Sequence, residues 1–144
     1  MSMSLGRLDV LVKVAESRTD QAAEELGRRK AGLNEQEGRL QELRRYMDDY
    51  RTRPLPASSM LIANRERFLA RLNEAEVQQL RAVDYASNAV RESTQAWLVQ
   101  RAGQQKFGVL QTAAAGRETR AAEQQQQKVM DDFALRGYAK PVSD

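Results

Sequence analysis

Few residues in this chain could do chemistry on a small molecule, and their spacing argues against it. Gly103 and Gly108 stand five apart in "GQQKFG", the glycine spacing of a phosphate-binding loop. Such a loop needs a lysine and then a Ser or Thr after its second glycine, and Val109 and Leu110 stand there instead. Asp48–Asp49 and Asp131–Asp132 are adjacent carboxylates. Neighbours on a helix point to different sides, so neither pair converges on one ligand. The chain has no cysteine and no histidine, which removes disulfides and Cys or His metal sites. The expectation is a protein that is not an enzyme and takes no cofactor and no metal.

What remains is a surface for other proteins. In "YMDDYRTRPLPASSM", Tyr46 and Tyr50 lie one helical turn apart, directly ahead of Pro54 and Pro56. Rings that carry a hydroxyl suit a surface that is wet at one edge and apolar at the other. They also suit a core that closes a turn. Both readings stay open on the residues alone.

The elements that position these residues follow from composition and periodicity. The 144 residues suffice for one domain. With 30% charged and only 6% aromatic residues, they are too polar for a compact core. Alanine, arginine, glutamate, glutamine and leucine dominate, as in long helices paired along a narrow seam. The formal charge of +3 is spread in mixed signs. The basic triplet Arg28–Arg29–Lys30 follows Glu24 and Glu25 by one turn. A nucleic-acid function is not expected from that pattern. The apolar start "LDVLVKV" is short and carries an aspartate and a lysine, so it reads as neither signal peptide nor membrane span. A cytoplasmic protein with no direct membrane insertion is expected.

A heptad opens the chain. One row reads Leu5, Val12, Thr19, Leu26, Leu33, Leu40, Met47, and the other Leu8, Ala15, Ala22, Arg29, Gln36, Leu43, Tyr50. A seven-residue repeat held this long predicts a supercoiled helix. Glu24–Arg28, Glu25–Arg29 and Glu35–Arg39 are spaced to pair on its surface. Gly27, Gly32 and Gly38 fall off the two rows and soften it. Pro54 and Pro56 end the helix near Arg53, and Ser58 or Ser59 can cap the next.

No proline then occurs from Ser59 to Arg136. The seam of this second helix reads Leu61, Phe68, Ala75, Ala82, Ala89, Ala96, with Leu72 and Ala86 adding to it. Ile62, Leu69, Val83, Val90 and Trp97 widen it, and Gln79 and Ser93 interrupt it. A short connection makes the two helices antiparallel neighbours. The expected fold is all-α: two long helices in an antiparallel coiled-coil hairpin, the second longer than the first. Residues 1–144 form a single hairpin, with helices over about 4–52 and 59–136, a turn over 53–58 and a flexible tail over 137–144. At 1.5 Å per residue the helices measure roughly 70 and 115 Å. Folding about the prolines places Leu43 near Phe68, Leu40 near Leu72 and Val14 near Trp97. Beyond about Phe107 the second helix has no partner within the chain, and this overhang holds the glutamine run "EQQQQK".

The order of these features resembles the FliJ family of the bacterial flagellar type III export apparatus. The resemblance rests on the heptad helix, the Tyr46–Tyr50 pair before the turn and "RFLARL" after it. It rests further on the central Trp97 and on "QQKVMDDFALR", similar to the family's "EQKxxDExAxR" with Gln126 and Asp132 in place of glutamates. It implies a two-helix antiparallel coiled coil similar to the stalk of rotary ATPases. The implied function is a non-enzymatic part of flagellar export and so of motility. The implied partners are the hexameric export ATPase FliI, the cytoplasmic domain of the export gate FlhA, and export chaperones. The implied location is peripheral to the inner membrane, held by the export apparatus. Carried over by position, the gate would meet Leu43, Tyr46, Tyr50, Phe68, Leu72, Ala75 and Gln79. Arg39 stands where the family often has glutamine. The ATPase would meet Gln127, Lys128, Asp131 and Asp132.

Two alternatives keep the fold. One is the equivalent stalk protein of a virulence-type secretion system. The other is a generic coiled-coil scaffold. The chain is expected to be a monomer or a weak homodimer.

Overall fold

The computed structural model describes residues 4–139, with side chains to Gly137. Among these residues there are two helices and no strand: α1, Leu5–Thr52, and α2, Ser59–Ala139. They form an antiparallel coiled-coil hairpin in which α2 is the longer. The second helix runs three residues past its expected end at Arg136, while the rest of the expected flexible tail lies outside the described residues.

Local chemistry explains where the helices start and stop. Ser4 Oγ accepts the Arg7 N–H at 3.4 Å, and Ser58 Oγ accepts the Leu61 N–H at 3.4 Å. Each serine satisfies one of the four free N–H groups at a helix start. At the end of α1, Thr52 Oγ1 donates to the Asp49 carbonyl at 3.0 Å. Arg65 of α2 reaches back and donates from Nη2 to the Arg51 carbonyl at 2.7 Å. A cation there also meets the negative end of the helix dipole.

The contacts fall into two units. One comprises Thr19–Gln100, and the other the residues up to Arg18 and from Arg101. In the first, Thr19, Leu40, Met47 and Leu72 are buried, with Met47 only 1% exposed. Burying a side chain of that size contributes about 1.5–3 kcal/mol. All three buried α1 residues lie on the expected heptad rows.

The seam on α2 differs from expectation. The covered rows are Ile62, Leu69, Glu76, Val83, Val90, Trp97 and Arg65, Leu72, Gln79, Ala86, Ser93, Gln100. Of the expected row, Leu61 and Ala96 are exposed, while Phe68, Ala75, Ala82 and Ala89 are half-buried like most residues of these two rows. The reason is that a two-stranded seam is narrow, and polar side chains with long stems can close it. Gln79 is part of the seam rather than an interruption. Its Nε2 donates to Gln36 Oε1 at 2.8 Å and to the Gln36 carbonyl at 3.0 Å.

The register is also shifted. Phe68 packs on Tyr46 and Tyr50, one to two turns nearer the turn than Leu43. Arg44 pairs with Glu76 at 3.4 Å, and Arg51 Nη2 donates to Asn73 Oδ1 at 3.0 Å. Residue 51 is thus level with residues several positions inside α2. The two prolines keep residues 53–58 out of helix, and this segment, which bends at 53 and at 57–58, carries the chain past the end of α1 before α2 begins. The first six residues of α2 therefore project beyond α1 by roughly 9 Å.

The second unit shows the same shift. Leu8, Ala15 and Ala114 are buried, and Gln111 Nε2 donates to Asp9 Oδ1. Pairing thus extends to Gly116, not to Phe107, and Phe107 itself is half-buried. Every side chain from residue 117 to residue 137 is exposed. Of the expected surface pairs, Arg39–Glu35 forms at 2.7 Å. Glu25 takes both Arg28 at 2.6 Å and Arg29 at 2.8 Å, so Arg28 does not pair with Glu24. Such exposed pairs are screened by water and add little to stability.

A Cβ added at Gly27 or Gly38 would meet nothing within 4 Å, and neither residue has positive φ. Each Gly→Ala change should therefore stabilise the fold by about 0.5–1 kcal/mol, read as a raised denaturation midpoint at unchanged slope. A lowered midpoint would show that these glycines serve a close contact. The seam glutamines give the opposite kind of result. Gln79→Ala should cost about 1 kcal/mol, because it leaves the half-buried Gln36 amide without its partner. Paired Gln36→Leu and Gln79→Leu should recover that loss, and a double variant as weak as the single one would remove the hydrogen bond from the account.

Candidate partner-binding surface

The aromatic cluster is built from both sides of the turn. Tyr46 and Tyr50 lie one turn apart on α1, which stacks their rings at 6.4 Å between centroids with 29° between planes. Chain reversal brings Phe68 of α2 against both. It lies 4.8 Å from Tyr50 and 6.3 Å from Tyr46, edge-on to the latter at 80°. Edge-on and tilted pairs are favoured by the ring quadrupoles. Arg53 completes the stack, with its guanidinium 5.2 Å from the centre of the Tyr50 ring.

The expected gate-contact residues divide by role. Tyr46 is 45% exposed, whereas Tyr50 and Phe68 are half-buried. Leu72 is 8% exposed and belongs to the interhelical core. Leu43 and Ala75 are half-buried at the seam's edge, and the Gln79 amide is committed to Gln36. Tyr46, with the outer edges of Tyr50 and Phe68, is the part of the set a partner could reach.

Beside the rings lies a shallow cleft of about 410 Å³ lined by Tyr50, Arg53, Pro54, Pro56, Leu61 and Arg65, among others. Arg53, Arg65 and Leu61 of this cleft had no place in the expected site. Their signal was weak, because the residues around the two prolines read as a connection only. The Arg65 Nε is buried and has no hydrogen-bond partner.

The other expected group, Gln127, Lys128, Asp131 and Asp132, lies in the second unit on α2 and is exposed throughout. Gln127 Nε2 donates to Asp131 Oδ1 at 3.3 Å. Val129, Met130 and Phe133, spaced to share a helix face, are exposed beside it, Phe133 by 80%. These three apolar side chains were missed in the expected set, although their spacing is visible in "KVMDDF". Among the described residues no cluster of acidic side chains could hold a metal ion. On α1, the hydrogen bond from Arg28 holds the Glu25 carboxyl below its ordinary range, but this is a solvated ion pair away from the rings.

The cluster separates packing from exposure. Tyr50→Ala and Phe68→Ala remove rings that hold each other and should cost about 1–3 kcal/mol in denaturant unfolding. Tyr46→Ala removes the outermost ring and should cost under about 1 kcal/mol. Equal losses for all three would make Tyr46 part of the core.

Comparison with known proteins adds one finding. A family model described as Flagellar FliJ protein matches residues 3–143. No curated protein and no solved structure matches the chain. No helix among the described residues is long and apolar enough to cross a membrane. With a match over nearly its whole length, and with the helical hairpin to go with it, the chain belongs to the FliJ family, a non-catalytic component of flagellar type III protein export.

Proposed function

We propose that this chain is a stalk that joins the hexameric export ATPase FliI to the cytoplasmic domain of the export gate FlhA, and that it escorts export chaperones. The reading rests on membership of the FliJ family. The observation that carries it is the stretch of α2 from residue 117 to residue 137, exposed on every side. A single helix gains little from propensity alone, and most helical stability comes from packing. This one presents Val129, Met130 and Phe133 to solvent beside Gln127, Lys128, Asp131 and Asp132. An apolar centre with a polar rim is the anatomy of a protein interface. The ATPase covers this face, and the peripheral membrane location follows from the apparatus it joins.

The gate takes the aromatic cluster at the turn. Aromatic side chains dominate many interfaces when a partner seals them from water. Tyr46 is the ring left open, and Tyr50 and Phe68 hold it in place.

Co-purification with the hexameric ATPase tests the stalk. Met130→Ser with Phe133→Ser should weaken ATPase binding at least tenfold while circular dichroism stays helical. Unchanged ATPase binding would refute the assignment of this face. Tyr46→Ala should weaken gate binding about five- to 150-fold, equivalent to about 1–3 kcal/mol, leave ATPase binding as it was and lower the melting temperature by no more than a few degrees. Gate binding that survives this change would remove the rings from the interface.

A further inference from the structure

The turn end of the hairpin carries a feature that the family reading does not use. Residues 51–67 hold four arginines, Arg51, Arg53, Arg65 and Arg67, against one acid, Glu66. That segment's formal +3 equals the formal charge of the entire chain, so the remainder is balanced. In the sequence the arginines stand as two separate pairs, and chain reversal brings them to one end. Among the described residues, no carboxylate lies within ion-pair distance of Arg53, Arg65 or Arg67, and Arg51 reaches Asp48 only at 4.0 Å. Asp48 and Asp49 stand just before this segment, but Arg53, Arg65 and Arg67 have no ion-pair partner among the described residues.

Apolar side chains stand at the same end. Leu55 is 70% exposed between the two prolines, and Met60 and Leu61 are 73% and 53% exposed on the first turn of α2. This is the turn that projects past α1. Large apolar side chains at the projecting end, flanked by unpaired cations, match the two terms of interfacial membrane binding. These are shallow burial of apolar groups and attraction to anionic headgroups. The basic residues are all arginine, whose planar fork bonds phosphate oxygens in pairs and is weakly hydrated.

We propose that the turn end, through Arg53, Arg67, Leu55 and Met60, docks on the surface of a bilayer containing anionic phospholipid. The three apolar residues lie at the level of the acyl boundary, and the arginines meet the phosphates. The helices do not enter the bilayer. This site adjoins the aromatic cluster, sharing Arg53 with it, and does not depend on the gate reading. It departs from the expectation that any membrane location comes only through other proteins.

Vesicle sedimentation of the full chain tests this. The probes are phosphatidylcholine vesicles with and without phosphatidylglycerol, at low and raised salt. Binding should require the anionic lipid and weaken with salt. Arg53→Gln with Arg67→Gln should lower the partition coefficient by about 30-fold. Leu55→Ser with Met60→Ser should lower it severalfold and make what remains more salt-sensitive. Both variants change exposed side chains, and circular dichroism checks that they stay helical. Arg117→Gln with Arg120→Gln, a basic pair outside the turn, should change binding by less than about threefold. No binding to anionic vesicles would overturn the proposal. So would an equal loss from the Arg117 and Arg120 pair, which means unspecific adsorption. If the Arg53 and Arg67 variant binds vesicles as the unaltered chain does but loses the gate's cytoplasmic domain, the end faces an acidic protein surface and the membrane proposal fails.

Discussion

Arg65 donates from Nη2 to the carbonyl of Arg51, and this bond ties the start of α2 to the last turn of α1. It forms because the non-helical residues 53–58, with Pro54 and Pro56, place the start of α2 beyond the end of α1. Every later pairing inherits that offset. Within the unit Thr19–Gln100, Phe68 arrives at the tyrosines, Glu76 at Arg44 and Gln79 at Gln36. A connection shorter by a few residues would bring different side chains opposite one another and disperse the ring cluster.

The seam that this offset closes is unusually polar for an interhelical core. Thr19, Gln36, Glu76, Gln79 and Ser93 occupy positions where coiled coils commonly place branched aliphatics. Such residues give up stability, and in return they define alignment. The Gln36 amide finds its donor only in the observed register, so slippage by a turn would strand a half-buried polar group. Alanines dominate the edge of the α2 seam and cannot distinguish one register from another. The polar pair can.

Much of α1 was legible in its sequence, because its apolar residues recur at heptad spacing with charged residues between them. The buried Leu8, Ala15, Thr19, Leu40 and Met47 all lie on the two rows so identified. On α2 the same method found most of the covered residues but erred at both ends of its main row and at the polar positions. Alanine is frequent on several faces there, so ranking by apolarity chose Leu61 and Ala96, which are exposed, over Arg65 and Gln79, which are covered. Register was not legible, since it depends on the path the chain takes through the bent proline segment. Tyr46, Tyr50 and Phe68 were readable as a group from their nearness to the turn. The arginines gathered at the turn were not, because eleven residues separate Arg53 from Arg65 along the chain and only reversal joins them.

The polar seam has a calorimetric consequence. The heat capacity of unfolding rises with the apolar surface newly exposed and falls with the polar surface, at typically about 12–15 cal/mol/K per residue in globular domains. In this hairpin few apolar side chains leave water, and the 117–137 stretch exposes almost nothing new on melting. Its increment per residue falls below that range, and its stability curve is correspondingly flat. Cooling then weakens this fold less than it weakens a domain with an oily core, because little of its cohesion derives from the ordering of water around hydrocarbon.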